Sequence, residues 1–150
     1  MRYLLIDHIT EYKPDELIRG IKNVSMSEDF LEFHFPKNPI MPGVMLLEAL
    51  VQLSGWLQAV SSDFRCWLLV TKVRKSNFYS FALPGDQVEL EVQRLQDENP
   101  DLIVYRGIGT VKGKKKIVAE FEGEIVPIDE IEDAQEQRRF FTLLTRNVKL

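Results

Sequence analysis

The spacing of hydrophobic and polar residues changes once along the chain, from a helical repeat to a repeat of two. Residues 44–60 are rich in Leu, Ala, Met and Gln, and Pro42 suits the first turn of a helix, so this stretch predicts one long helix. In residues 88–93, Val and Leu alternate with Glu and Gln, which is typical of a strand with one solvated face. Four strands are predicted after the helix, at residues 66–81, 86–97, 102–112 and 116–127.

Elements are also predicted at both ends of the chain. Residues 2–9 and 17–24 favour short strands, and residues 13–15 contain a turn signal between them. Residues 33–43 contain three prolines and a glycine, which exclude regular structure and predict a loop with a fixed path. Residues 128–145 begin with charged and end with apolar side chains, so we predict a peripheral C-terminal helix there.

This order of elements predicts an α+β fold in which an antiparallel sheet wraps around one long central helix. The helix at residues 44–60 is apolar nearly all round and must therefore be buried on most sides. A single sheet leaves part of it uncovered, so we expect a second copy to cover the rest in a homodimer. We divide the chain into one domain, residues 1–127, and a C-terminal helical extension, residues 128–150.

Composition and charge limit the class of function. A chain of 150 residues with 45% hydrophobic and 28% charged residues is typical of one soluble domain. The net charge of −4 argues against nucleic acid as the main partner. The single cysteine, Cys66, excludes an intramolecular disulfide, which fits the reducing cytosol, so we expect a cytoplasmic protein. No signal-peptide pattern opens the chain, and polar positions interrupt apolar residues 40–60, so we expect no membrane insertion.

Glu48 is an acidic residue in the most apolar stretch of the chain. Its neighbours one helical turn away are apolar except for one glutamine: Val44, Met45, Val51 and Gln52. Burying an ionised carboxylate is costly unless the group is paired or changes its protonation state. Glu48 either points outward on an amphipathic helix or is held in a dry pocket for catalysis, and its neighbours favour the second interpretation.

A second candidate group lies where the proline-rich loop meets the helix. The prolines would hold His34 in place as a site requires, although alone it would be interpreted as an ordinary loop histidine. The helix start at Pro42, Gly43 and Val44 offers unpaired N–H groups and a positive dipole end, which favour an oxyanion. A base, a carboxyl and an oxyanion site suit removal of a proton α to a thioester carbonyl with loss of a β-hydroxyl.

Three segments resemble the signature of the β-hydroxyacyl-[acyl-carrier-protein] dehydratases of fatty acid synthesis: HFP at residues 34–36, NPIMPGV at 38–44 and EALVQ at 48–52. The later PGDQ at residues 84–87 also matches, and the resemblance covers about residues 2–127. It implies the hotdog fold, in which a sheet wraps around one helix, and assembly as a homodimer or a trimer of dimers. Glu48 resembles the glutamate-bearing branch of the family, which dehydrates without isomerising.

The resemblance implies a role for each matching residue. His34 would take the C2 proton, and Glu48, oriented by Gln52, would help the C3 hydroxyl leave as water. The Gly43 amide would polarise the thioester carbonyl, with Val44 beside it. In this family the histidine and the glutamate come from opposite subunits, so each site would straddle the dimer interface. No metal or cofactor is implied, and the acyl chain would arrive on the phosphopantetheine arm of an acyl carrier protein.

The resemblance also implies a substrate tunnel and departures from the family pattern. The tunnel would be lined by Phe33, Phe35, Pro36, Met41 and Pro42. Phe33 stands where the family usually has Gly, and Lys37 follows the His-Phe-Pro where Gly is common. A small basic cluster, Lys72, Arg74 and Lys75, is either a contact for an acidic carrier or a set of solvated strand residues.

Two other function classes stay open at this stage. Phe33 motivates a non-catalytic hotdog subunit that binds acyl chains or partners an active paralogue, because its ring would fill the tunnel. The hotdog fold also leaves open an acyl thioesterase, which would release a free thiol instead of water.

Overall fold

The computed structural model describes residues 4–146. The strands and helices, in chain order, are β1 (His8–Lys13), β2 (Leu17–Asn23), α1 (Gly43–Ser61), β3 (Cys66–Phe78), β4 (Gln87–Leu95), β5 (Ile103–Val111), β6 (Lys114–Pro127) and α2 (Ala134–Leu144). Two short 3-10 turns, Asp29–Leu31 and Ile128–Glu130, precede α1 and α2.

One antiparallel sheet wraps around α1, and this confirms the predicted α+β hotdog architecture. Its strand order is β1-β2-β4-β5-β6-β3, so β1 and β3 are the edges. Leu46, Leu50 and Leu53 of α1 are almost fully buried against the sheet. A Cβ on Gly107 of β5 would lie 2.9 Å from the Leu50 side chain, so this glycine lets the helix approach the sheet closely. The apolar length of α1, sufficient for a membrane span, is accounted for by this burial.

The alternation of apolar and polar residues in β4 gives the strand one buried and one solvated face, as predicted. Val88, Leu90 and Val92 are buried, whereas Glu89 and Gln93 are exposed. Because successive side chains of a strand point to opposite faces, this alternation places the apolar set on the helix side of the sheet.

Two predicted boundaries are wrong. The first strand was expected at residues 2–9, of which residues 2 and 3 lie outside the described residues. It occupies His8–Lys13, because the segment before it bonds elsewhere: the Leu5 N–H donates to Oε1 of Gln52 at 3.0 Å. The C-terminal helix was expected at 128–145 and begins at Ala134, because Asp133 caps it by accepting from the Gln135 N–H at 2.8 Å.

The C-terminal helix α2 packs on the end of α1, as the prediction of a peripheral helix requires. Phe141 is buried, with its ring centroid 5.8 Å from Trp56 and 5.4 Å from Phe64. The Arg138 guanidinium lies 4.7 Å above the Phe64 ring and forms a 3.1 Å ion pair with Asp63. The extension is thus joined to the domain by packing, while the boundary at residue 127 stays a prediction.

A buried tyrosine is expected to make the fold less stable at alkaline pH. Tyr105 is 1% exposed and donates to Oε1 of Gln58 at 3.2 Å. Burial raises the pKa of Tyr105 to about 12. Because the folded pKa lies above the unfolded value of about 10, this contribution to stability is complete below pH 10 and is lost as the pH rises towards 12.

We therefore expect the free energy of unfolding of the wild type to fall between pH 9 and pH 11.5 by about 2 kcal/mol more than that of Tyr105→Phe. Urea unfolding of both proteins across this range measures the difference. Parallel pH profiles for the two proteins would contradict the prediction.

Candidate active site

The loop before α1 orients His34 by paired hydrogen bonds. Nδ1 of His34 donates to the carbonyl of Ile40 at 3.0 Å, and the Ile40 N–H donates to the His34 carbonyl at 2.8 Å. Between these two residues, the Phe35 N–H donates to the Asn38 carbonyl at 3.1 Å and the Asn38 N–H donates to the Phe35 carbonyl at 3.0 Å. A carbonyl oxygen only accepts, so Nδ1 carries the proton and Nε2 presents a lone pair. The half-buried imidazole is therefore in the tautomer that a general base needs.

A cavity of about 600 Å³ is lined both by His34 and by the beginning of α1. Gly43 and Val44 line it, and Gly43 is the first residue of the helix, after Pro42. No side chain caps this end, and the first backbone bond of the helix runs from the Met45 N–H to the Pro42 carbonyl at 2.9 Å, so the Gly43 and Val44 N–H groups lie before it. The histidine and the candidate oxyanion donors are thus brought to one cavity, as the sequence predicts.

The aromatic part of the cavity wall was not predicted. Phe78, Tyr79 and Phe81 line it at the end of β3, and the Met41 N–H donates to the Ala82 carbonyl at 2.9 Å to join the loop to this segment. The signal in the sequence is the concentration of three aromatic residues within 78–81, at the end of β3 and directly after it.

Gly43 is needed where α1 meets this wall. A Cβ built on Gly43 would lie 2.7 Å from the Phe78 ring, closer than real side chains approach. The glycine therefore allows the aromatic ring to lie against the first helical turn, beside the amides that would face a carbonyl.

Glu48 lies further along α1 and contacts Gln52 one turn away. Nε2 of Gln52 donates to Oε1 of Glu48 at 3.1 Å. Oε1 of the same amide accepts from the Leu5 N–H at 3.0 Å, which sets the orientation of the amide. Gln52 thus links the Glu48 carboxylate to the amino-terminal segment. The supporting role of Gln52 in catalysis stays a prediction.

The single chain does not form the predicted dry pocket around Glu48: this side chain is exposed, and a pocket completed by a second subunit stays a prediction. Val44, one turn earlier, is 65% exposed. The sheet covers the opposite face of α1, where Leu46 and Leu50 pack, so the face with Val44 and Glu48 stays open. Glu48 does not line the cavity at His34.

Of the five predicted tunnel residues, only Met41 lines the cavity at His34. Met41 is buried and lines the cavity at His34, and Pro42 is half-buried at the helix start. Phe33 is 77% exposed, and Phe35 and Pro36 are also exposed; none of the three lines this cavity. Phe33 therefore does not obstruct the cavity of its own chain, and the role of these residues in a tunnel stays a prediction.

The predicted carrier-contact cluster lies on the exposed edge strand β3. Arg74 forms ion pairs with Asp97 at 3.1 Å and Glu122 at 3.2 Å, and hydrogen bonds with these two carboxylates raise the pKa of Arg74. Lys72 and Lys75 form no ion pair within residues 4–146, so they are the better candidates for an acidic partner. In the same range no group of three His, Cys, Asp or Glu side chains could hold a metal ion.

The chain is similar in sequence and in fold to known proteins. The family model of the FabA-like domain matches residues 1–122. The 3-hydroxyacyl-[acyl-carrier-protein] dehydratase FabZ of Nitratidesulfovibrio vulgaris is 42% identical over 115 residues, covering 75% of this chain and 74% of that protein. The FabZ of Shewanella woodyi is 36% identical over 134 residues, covering 86% and 80%. The dehydratase heterocomplex ApeI:P from Xenorhabdus doucetiae superposes with a TM-score of 0.58 at 17% identity, covering 75% of this chain and 91% of that chain, which shows a shared fold.

Proposed function

This chain belongs to the FabA-like family as a relative of the 3-hydroxyacyl-[acyl-carrier-protein] dehydratases, and from this premise we propose that His34 and Glu48 are its catalytic pair. The reaction is the dehydration of a 3-hydroxyacyl thioester on acyl carrier protein to the trans-2-enoyl thioester in fatty acid synthesis. The observation that supports the pair best is the tautomer of His34, whose Nε2 lone pair is available beside the first turn of α1.

The proposed reaction begins with Nε2 of His34 taking the C2 proton. The electron pair moves towards the thioester carbonyl, whose oxygen accepts from the Gly43 amide, with Val44 next to it at the positive end of the helix. The carboxylic acid of Glu48 then gives its proton to the C3 hydroxyl, which leaves as water while the C2–C3 double bond forms. A proton passing from His34 back to Glu48 restores the starting state.

We propose that each site takes its histidine from one subunit of a homodimer and its glutamate from the other. The uncovered face of α1 with Val44 and Glu48 supports this arrangement, because a second copy would bury it. The edge strand β3 also exposes Leu69, Val73 and Phe78, apolar side chains beside unpaired backbone groups that favour pairing with another strand. Burial in such a dimer would supply the dry environment that the single chain does not give Glu48. A trimer of dimers is the larger assembly that the family resemblance implies.

The substrate would be presented by the carrier protein at the mouth of this site. Lys72 and Lys75 are the proposed contacts, since an acidic carrier needs basic residues on the enzyme surface. We place the reaction in the cytoplasm and assign it no cofactor, because the proposed proton transfers require only side chains and backbone amides.

The purified chain is expected to convert 3-hydroxyacyl carrier protein into a product lighter by one water, followed by mass spectrometry of the intact carrier. Carrier incubated without enzyme is the control. Release of a free thiol would indicate a thioesterase, and an unchanged substrate would indicate a non-catalytic hotdog subunit; either result would refute the proposed reaction.

A further inference from the structure

A second cavity, of about 340 Å³, lies beside α1 just beyond Glu48. Gln52, which donates to Glu48 at 3.1 Å, lines this cavity and so connects the two. Trp56, Trp67 and Leu69 form an apolar wall. The volume lies within the range of about 300–1,000 Å³ of small-molecule sites, which are largely apolar with a few polar groups.

The outer wall of this cavity comes from the C-terminal extension. Ile128, Ile131 and Phe140 contribute apolar surface to it, and all three lie outside the segment that matches the FabA-like family model. Glu132 and Gln137 line it as well, with Glu132 exposed and Gln137 half-buried, so the polar groups lie towards solvent. The cavity is thus a property of this chain and not of the matched domain alone.

The extension is held against the domain by packing and polar contacts. The Arg138–Asp63 ion pair and the packing of Phe141 on Trp56 join α2 to the end of α1. At the far end of α2, Nε2 of His8 lies 3.0 Å from the carbonyl of Arg146, the geometry of a hydrogen bond in which the imidazole donates. Contacts in the middle of α2 and just after its end therefore fix the position of the apolar side chains that face the cavity.

We propose that this cavity receives the distal, apolar end of the acyl chain, so that the C-terminal extension selects the length of chain that the enzyme accepts. The inference rests on the proposed function, because it places C3 of the substrate at Glu48. Gln52 lies about 6 Å and Trp56 about 12 Å along α1 from Glu48 at 1.5 Å per residue. A 3-hydroxybutyryl chain has one carbon beyond C3 and would end beside Glu48, whereas the seven carbons beyond C3 of a 3-hydroxydecanoyl chain would extend past Gln52 into the cavity towards Trp56. Each methylene buried there would raise kcat/KM about fourfold.

A matched pair of variants tests this assignment. Ile131→Phe adds bulk to a side chain that lines the cavity and is 41% exposed; Leu143→Phe adds similar bulk on α2, where Leu143 is 61% exposed and does not line the cavity. The ratio of kcat/KM for 3-hydroxydecanoyl over 3-hydroxybutyryl carrier protein is expected to fall about tenfold or more in Ile131→Phe and to stay unchanged in Leu143→Phe. Equal ratios in all three proteins would overturn the inference.

Tryptophan fluorescence gives a readout independent of activity, because the two tryptophans of the chain, Trp56 and Trp67, both line the cavity. Decanoyl carrier protein, which has no hydroxyl to lose, is expected to shift their emission, butyryl carrier protein is not, and Ile131→Phe is expected to weaken the decanoyl response. An emission that follows protein concentration instead of acyl length would show that a second copy fills the cavity and would overturn the inference. A length-dependent shift without dehydration of either substrate would refute the proposed function and support the cavity assignment.

Discussion

The His34→Ala variant is expected to dehydrate 3-hydroxybutyryl carrier protein about 10²- to 10⁴-fold more slowly than the wild type, the usual contribution of a general base. The bond from Nδ1 to the Ile40 carbonyl leaves Nε2 as the free acceptor, and alanine removes it without adding a group that could replace it. Steady-state turnover, followed as loss of one water from the carrier, gives kcat and KM separately. The loss should be in kcat, since the imidazole acts in the transition state more than in substrate binding.

His8 supplies the matched control for this experiment. It is the other histidine of the chain and lies on β1, where its ring approaches the Arg146 carbonyl in the C-terminal extension and not the cavity at His34. His8→Ala is expected to retain turnover of the short substrate within about threefold of the wild type, and circular dichroism should show both variants folded. Turnover by folded His34→Ala at the rate of His8→Ala would refute the assignment of the base.

The sequence predicts well those features that depend on local spacing. The alternation of β4 identifies its buried face through Val88 and Leu90, and the prolines at 36–42 predict the fixed loop that orients His34. In both cases the physical cause acts within a few residues, either through the alternation of a strand or through the restricted backbone of proline.

Features that depend on distant partners were predicted less well. The apolar neighbours of Glu48 indicate a face that is to be covered, but they do not say whether the chain's own sheet or another copy covers it; in the single chain the residue is exposed. The start of β1 was predicted too early for a similar reason: the Leu5 N–H forms a hydrogen bond with Gln52, which is 47 residues away in the sequence. The cavity lined by Trp56 and Ile131 brings together α1, α2, strand β3 and the turn before α2, which no local pattern in the sequence connects.

Because Glu48 is exposed in the single chain, we predict that two variants, each inactive alone, regain activity when they form mixed dimers. Glu48→Gln keeps the shape of the side chain and removes the acid, so dehydration should fall about 10²-fold or more, mainly in kcat. If each site combines His34 of one subunit with Glu48 of the other, a dimer of one His34→Ala and one Glu48→Gln subunit holds one doubly altered site and one intact site. Random reassortment makes about half of the dimers mixed, so total activity should return to about a quarter of the wild-type value.

The two variants are mixed in equal amounts after separate purification, unfolded in urea and refolded together, with each variant refolded alone as the control. Size-exclusion chromatography with light scattering confirms that dimers have formed before turnover is measured. Recovery of activity only in the mixture requires that the two residues meet across subunits, because a site built within one chain would stay defective in every pairing. Wild-type activity of Glu48→Gln alone would remove the acid from the mechanism, and a mixture no more active than its components would show that the histidine and the glutamate act within the same subunit.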